Sequence, residues 1–180
     1  MGVNMRLLVI ILLCLPFTAN AAPVFTVWAG FGHASVDNDF APLDISDTGP
    51  RIGAHVDVGR WFGLELGWAD FGSQSAEFTA LPPMPGMEGP FTVTAKASAA
   101  WLAYAPAFTT ESWVFGPRIG FARLSRNVDR IHGMLDNSNE LLIGAFVTFR
   151  FPTSGLGLRL DAEAIGSDVR AAAVSVSYSF

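Results

Sequence analysis

Cysteine is almost missing from this chain, and the one present, Cys14, lies in an apolar run from Leu7 to Leu15 that follows Arg6. Ala19-Asn20-Ala21 then supplies the small residues that a signal peptidase requires. Residues 1–21 therefore read as a cleaved signal peptide, and residues 22–180 as the mature domain. Lipid attachment at Cys14 would need a small residue just before it, and Leu13 stands there. The mature chain then has no cysteine, which excludes a disulfide framework, a cysteine metal site and a thiol nucleophile. Its length suits one domain.

Long hydrophobic runs are also missing. Hydrophobic residues make up 51% of the chain and mean hydropathy is +0.38, yet a helical span needs about 20 consecutive apolar residues. After the leader, the longest candidate is Leu141 to Phe149, closed off by Glu140 and Arg150. A helical membrane protein is excluded. The other way across a bilayer is a closed barrel, which pairs every backbone polar group without leaving an edge. The 18 glycines, 11 prolines and 15 phenylalanines agree with sheet and turns. A basic stripe is missing too: net charge is -5 and the arginines are scattered, so no nucleic-acid partner is expected. No phosphate-cradling glycine motif is present, and no cofactor is expected.

What the chain does have is alternation. Ala172, Val174, Val176, Tyr178 and Phe180 alternate with Ala173, Ser175, Ser177 and Ser179, and Leu156, Leu158, Leu160, Ala162 and Ala164 alternate with Gly157, Arg159, Asp161 and Glu163. That period of two marks strands with one apolar face. Strands are expected at 24–35, 51–58, 62–71, 91–104, 112–124, 140–151, 156–166 and 171–180. Connections 36–50, 72–90 and 125–139 are long; 59–61, 105–111, 152–155 and 167–170 are short. Alternating long loops and tight turns, broken only at 167–170, which is short where a long loop is expected, together with an even strand count, is the arrangement of an all-β, eight-stranded antiparallel up-and-down barrel in a bacterial outer membrane, both termini periplasmic. Aromatics at strand ends fit interfacial girdles: Phe62, Trp101, Trp113, Phe149, Phe151, Tyr178 and Phe180 on the periplasmic side, Phe31, Trp68 and Phe121 outside. Pro117 conflicts with a strand interior, and a bulge is expected there.

The stretches Trp61-Phe62-Gly63-Leu64-Glu65-Leu66-Gly67-Trp68-Ala69-Asp70-Phe71-Gly72, Leu142-Ile143-Gly144-Ala145-Phe146, Leu158-Arg159-Leu160-Asp161-Ala162-Glu163 and Ser177-Tyr178-Ser179-Phe180 resemble the OmpA-type eight-stranded outer-membrane barrel family. The resemblance spans nearly the whole mature chain as a pattern of residue types. It implies that Tyr178 and Phe180 form the signal read by the barrel-assembly machinery. The peptidoglycan-binding domain of larger members is not expected here.

Alternation collects Asp57, Glu65, Asp161 and Glu163 against Lys96, Arg118, Arg150 and Arg159 on the inward face, with His55 beside them. A barrel of this size is just wide enough for side chains to fill, so opposite charges should meet across the lumen. That network is either structural packing or a narrow gate. His33 and Ser35 share a face and could suggest a lipid hydrolase, although no carboxylate is placed to orient His33, so no enzyme is expected. Asp37, Asp39, Asp44, Asp47, Asp136 and Glu140 could meet divalent cations, but the loop lacks the turn glycine of a calcium site, and a solvated loop is expected. Arg123, Arg126 and Arg130 could contact lipopolysaccharide phosphates. The expected partners are outer-membrane lipid and lipopolysaccharide, with the protein a monomer. The expected role is structural or surface-interacting, through loops that include the proline-rich 81–87. The alternatives are a narrow solute channel, a lipid-modifying enzyme, or a soluble lipocalin-like binder with its apolar faces turned inward.

Overall fold

The computed structural model describes residues 23–37, 44–58, 61–79, 90–128 and 135–180. The leader, Asp39, Arg130, the side chain of Asp136 and segment 81–87 lie outside the described residues. Among the described residues nine strands run in chain order: β1 (Val24–Val36), β2 (Ile45–Asp57), β3 (Gly63–Thr79), β4 (Pro90–Tyr104), β5 (Phe108–Thr109), β6 (Trp113–Val128), β7 (Leu135–Arg150), β8 (Leu156–Ile165) and β9 (Val169–Ser179). Each long strand pairs antiparallel with its neighbours, β1 pairs with β9, and β4 pairs with β6 past the two-residue β5. Eight long strands thus close on themselves with no free edge. Phe25 and Phe180 exchange backbone hydrogen bonds of 3.1 and 2.9 Å where the chain ends meet.

The strands reach further than the alternation indicated. β2 starts at Ile45, β3 runs to Thr79, β6 to Val128, and β7 starts at Leu135, so parts of all three long connections are sheet. The rim holding the chain ends and short turns is the lower rim here, and the other the upper.

Side-chain parity divides the wall into two zones. In the lower zone the outer face is greasy: Phe31, Ile52, Leu66, Phe121, Val174 and Val176 are each at least 52% exposed. So extensive an apolar band around a closed barrel is a membrane-facing surface. In the upper zone, on β3, β4, β6 and β7, the outer face turns polar: Ser73, Ser75, Lys96, Arg123, Asn127, Asn137 and Asn139 are exposed. The inner face there is apolar, with Val36, Ile45, Phe71, Val93, Leu124, Val128, Leu142, Ile165 and Val169 all buried. We call the lower zone the belt and the upper zone the collar.

Three expectations need correction. Lys96 points outward, not into the lumen: its register partners Ser73 and Asn127 belong to the collar's polar outer face, and its inward neighbours are Ala95 and Ala97. Polar residues alternating with alanine were assigned inward by a rule that holds only within the belt. Trp101 points into the lumen at 3% exposure and belongs to no girdle. At Pro117 no bulge forms, because β6 stays in unbroken register with β7. The interruption is instead in the facing chain, between β4 and β5. The register pairing Tyr104 with Ile119 and Phe108 with Phe115 sets Pro106 across from Pro117, so two residues without an N–H share one gap. Pro50 follows the same logic: it pairs with Phe31 on one side, and the β2–β3 ladder begins only at Arg51.

Candidate functional site

Alternation on β2, β3, β6 and β8 sends one set of charged side chains to the barrel axis. Glu65, fully buried, sits at the centre: Arg118 Nη1 donates to its Oε1 at 2.5 Å, and Arg159 Nη2 to its Oε2 at 2.6 Å. Trp101 Nε1 also donates to Oε1 at 3.3 Å. Arg118 Nη2 meets Asp161 Oδ1 and Glu163 Oε2, each at 2.9 Å. Arg159 donates to Asp161 through Nε and Nη2 at 3.0 and 2.8 Å, and Arg51 Nη2 donates to Glu163 Oε2 at 3.2 Å. Arg51, Arg118 and Arg159 thus face Glu65, Asp161 and Glu163, three charges of each sign, all 6% exposed or less. Each buried ion would carry a desolvation penalty of several kcal/mol alone, so this balance is what lets the residues occupy the lumen.

Aromatic rings close the set. Arg51 lies over Trp28 and Trp101, with 5.1 and 5.4 Å from Cζ to the ring centroids. Arg159 lies over Trp28 and Phe146 at 4.8 and 4.4 Å. The two indoles stack on each other at 6.1 Å. Space for them comes from inward glycines: a Cβ on Gly53 or Gly67 would sit 2.2 Å from the Trp28 or Trp101 ring. Cation–π attraction adds most where, as here, the cation is desolvated.

Among the expected interior charges, Glu65, Arg118, Arg159, Asp161 and Glu163 meet in this network. Asp57 and Arg150 are half-buried at the lower mouth, in a recess with Thr26, His55 and Thr148. His55 Nδ1 lies 3.8 Å from Glu65 Oε2, too far for a hydrogen bond. Lys96 is elsewhere, as described. Arg51 was missed, although the parity that turns His55 and Asp57 inward turns it inward as well.

Over the network the collar's apolar residues fill the upper lumen, and Arg126 crosses it. Arg126 points inward and pairs with Asp168 in the β8–β9 turn, so it is not positioned toward external phosphates, whereas Arg123 is exposed on the outer face. Asp168 is held below its ordinary range by the Ser167 hydroxyl first, and then by Arg126. Asp47 is likewise lowered, by the backbone N–H groups of Ser73 and Thr48, and so clips β2 to the β3 bulge between Asp70 and Ser73. Asp37, Asp44 and Glu140 gather no metal-binding group among the described residues. His33 and Ser35 face outward, and the His33 ring lies 3.4 Å from Thr48 Oγ1 and 3.5 Å from Ser46 Oγ, two hydroxyls in place of a carboxylate. Tyr178 and Phe180 stack at 6.1 Å on the outer face of the lower rim, and Phe25 stacks on Phe180. Trp61, Phe108, Phe115, Trp113, Phe149 and Phe151 continue that ring of aromatics.

No family model matches the sequence, and no curated protein matches it. Solved structures do match in fold. Ail, the attachment invasion locus protein of Yersinia pestis, solved with the heparin analogue sucrose octasulfate, is similar over 89% of this chain and 100% of its own, with a TM-score of 0.58 and 15% identity. The N-terminal β-barrel domain of Pseudomonas aeruginosa OprF matches over 87% and 97%, with a TM-score of 0.54 and 13% identity. Neisserial surface protein A matches over 86% and 95%, with a TM-score of 0.50 and 16% identity. The chain has the fold of the small outer-membrane β-barrels.

Proposed function

We propose that this outer-membrane barrel is a surface-contact protein: the belt anchors it in the bilayer, and the collar with its long connections meets partners outside the cell. The observation that carries this reading is the filling of the lumen. Among the described residues a balanced ion-pair layer and an apolar layer stacked above it occupy the lumen, which supports an activity at the exposed upper end, where a rigid scaffold presents variable loops. Attachment is the role in Ail's own description, and a polar sheet face outside the membrane supports the same kind of role here. Phe180 and Tyr178, on the outer face of the last strand, are proposed to guide assembly through the barrel-assembly machinery.

Two experiments test the reading. The mature chain lacks cysteine, so Lys96→Cys in intact cells should react with a membrane-impermeant maleimide, whereas Ser154→Cys in the lower turn should react only after lysis. The reverse result would invert the topology. Cells expressing the protein should bind host-surface material more than cells lacking it, and purified protein in planar bilayers should give no conductance steps. Steps would favour the channel instead.

A further inference from the structure

Two hollows indent the outer wall of the belt. The first, about 710 Å³, lies over Gly53 and Gly67 between Val27, Ile52, Leu66 and Trp68, and no charged residue lines it. The second, about 650 Å³, crosses β7, β8, β9 and β1, and has a charged lip. Register explains its shape. Ala145 pairs with Ala162, Ala162 with Ala172, and Ala172 with His33, so methyl groups form its floor. One row toward the lower rim, Val147, Leu160, Val174 and Phe31 stand in the same order and form a bulky wall. One row toward the upper rim, Arg170 pairs with Ala164 on one side and Ser35 on the other.

The lip is held in place. Arg170 Nη1 donates to the carbonyls of Val169 and Gly166 at 2.9 and 3.4 Å. Of the nearby acids, Asp168 pairs with Arg126 while also attracting Arg170, and Glu163 is held by Arg51 and Arg118 inside the lumen. Nor does the collar stand in the way. β8 and β9 have 10 and 11 residues against 16 in β6 and in β7, so the wall ends at this lip and a headgroup can lie across it.

We propose that this trough holds a phosphorylated glycolipid of the outer leaflet, with an acyl chain over the alanines and a phosphate on Arg170, beside Ser35 and His33. This rests on the outer-membrane reading above and adds a ligand to it. An acyl chain gains no hydrophobic free energy by leaving other acyl chains, so selection comes from the fit of the trough and the guanidinium–phosphate contact. Arginine offers the phosphate two parallel N–H donors, which lysine does not. The uncharged hollow over Gly53 has the same access to lipid without that contact, and serves as the internal control.

The test is native mass spectrometry of the purified barrel in neutral detergent with bis-phosphorylated lipid A, its dephosphorylated form or phosphatidylglycerol, each variant first checked for heat-modifiable migration. We expect one lipid A to be retained. Arg170→Gln, and separately Ala162→Leu, which fills the trough, should each weaken retention roughly tenfold. Arg170→Lys should recover part of it, and Ala54→Leu in the other hollow should leave it unchanged. Equal retention of the dephosphorylated lipid, equal retention of phosphatidylglycerol, or indifference to both Arg170→Gln and Ala162→Leu would overturn the proposal. Recovery of the protein in the soluble periplasmic fraction would sink the membrane reading itself, whereas an outer-membrane barrel that ignores lipid A sinks only this site.

Discussion

Belt and collar are made from the same strands, yet they follow opposite rules. In the belt, Leu158 and Leu160 face outward while Arg159 and Asp161 are buried. In the collar, Arg123 and Asn127 face outward while Leu124 and Val128 are buried. β6 passes from one zone to the other without a change of register. Its side chains keep alternating, and what changes is the solvent outside, from acyl chains to water. The inside changes accordingly: where the outer wall is lipid, polar residues are retained in the lumen and must neutralise one another, and where the outer wall is wet, the inside is an ordinary apolar core.

The sharpest way to break the comparison is to remove the centre of the belt's interior. Glu65→Ala strands Arg118 and Arg159 with one acid fewer, and should lower stability by about 3–5 kcal/mol, read from urea unfolding in lipid vesicles. Leu124→Ala tests the collar's core in the same assay, with an expected loss of about 2–5 kcal/mol and no change in ion pairing. Outward positions should then separate the zones. Leu160→Arg should cost roughly 2–4 kcal/mol if it lies near the bilayer centre, while Asn127→Arg should stay within about 0.5 kcal/mol. Equal costs would mean that the collar is also in lipid.

The smallest effect concerns the strap across the collar. The Asp168 carboxyl is lowered from its ordinary value of 3.8 in the folded protein, so the stability it contributes is complete above that value and is lost as pH falls through the lower folded value. Acid titration should therefore loosen the β8–β9 turn, followed by amide exchange at Val169. Asp168→Asn should flatten that dependence.

The belt was legible because its alternation pairs large apolar residues with charges, as in Leu158 to Glu163. Much of the collar was not, because its alternation pairs small or apolar residues with serine, glutamine, asparagine and arginine, as in 73–79 and 125–128, and that reads equally as loop or as soluble strand. Lys96 was assigned to the wrong side for the same reason. Trp101 was taken for a girdle residue because aromatics near strand ends suit membrane edges, and only the room left by Gly67 on the facing strand turns it inward. Arg51 sat at the assumed start of a strand, where inward parity was not applied. Gly53 and Gly67, on the inward face, relieve crowding in the lumen by admitting two indoles.

The two-zone wall is tested most directly by single cysteines along β6, placed in the cysteine-free mature barrel in lipid vesicles. A water-soluble maleimide should label Arg123→Cys and Asn127→Cys and leave Ile119→Cys and Phe121→Cys unlabelled, while a lipid-soluble reagent should give the opposite pattern and neither should reach Ala122→Cys. Aqueous labelling at Ile119, or lipid-phase labelling at Asn127, would contradict the account.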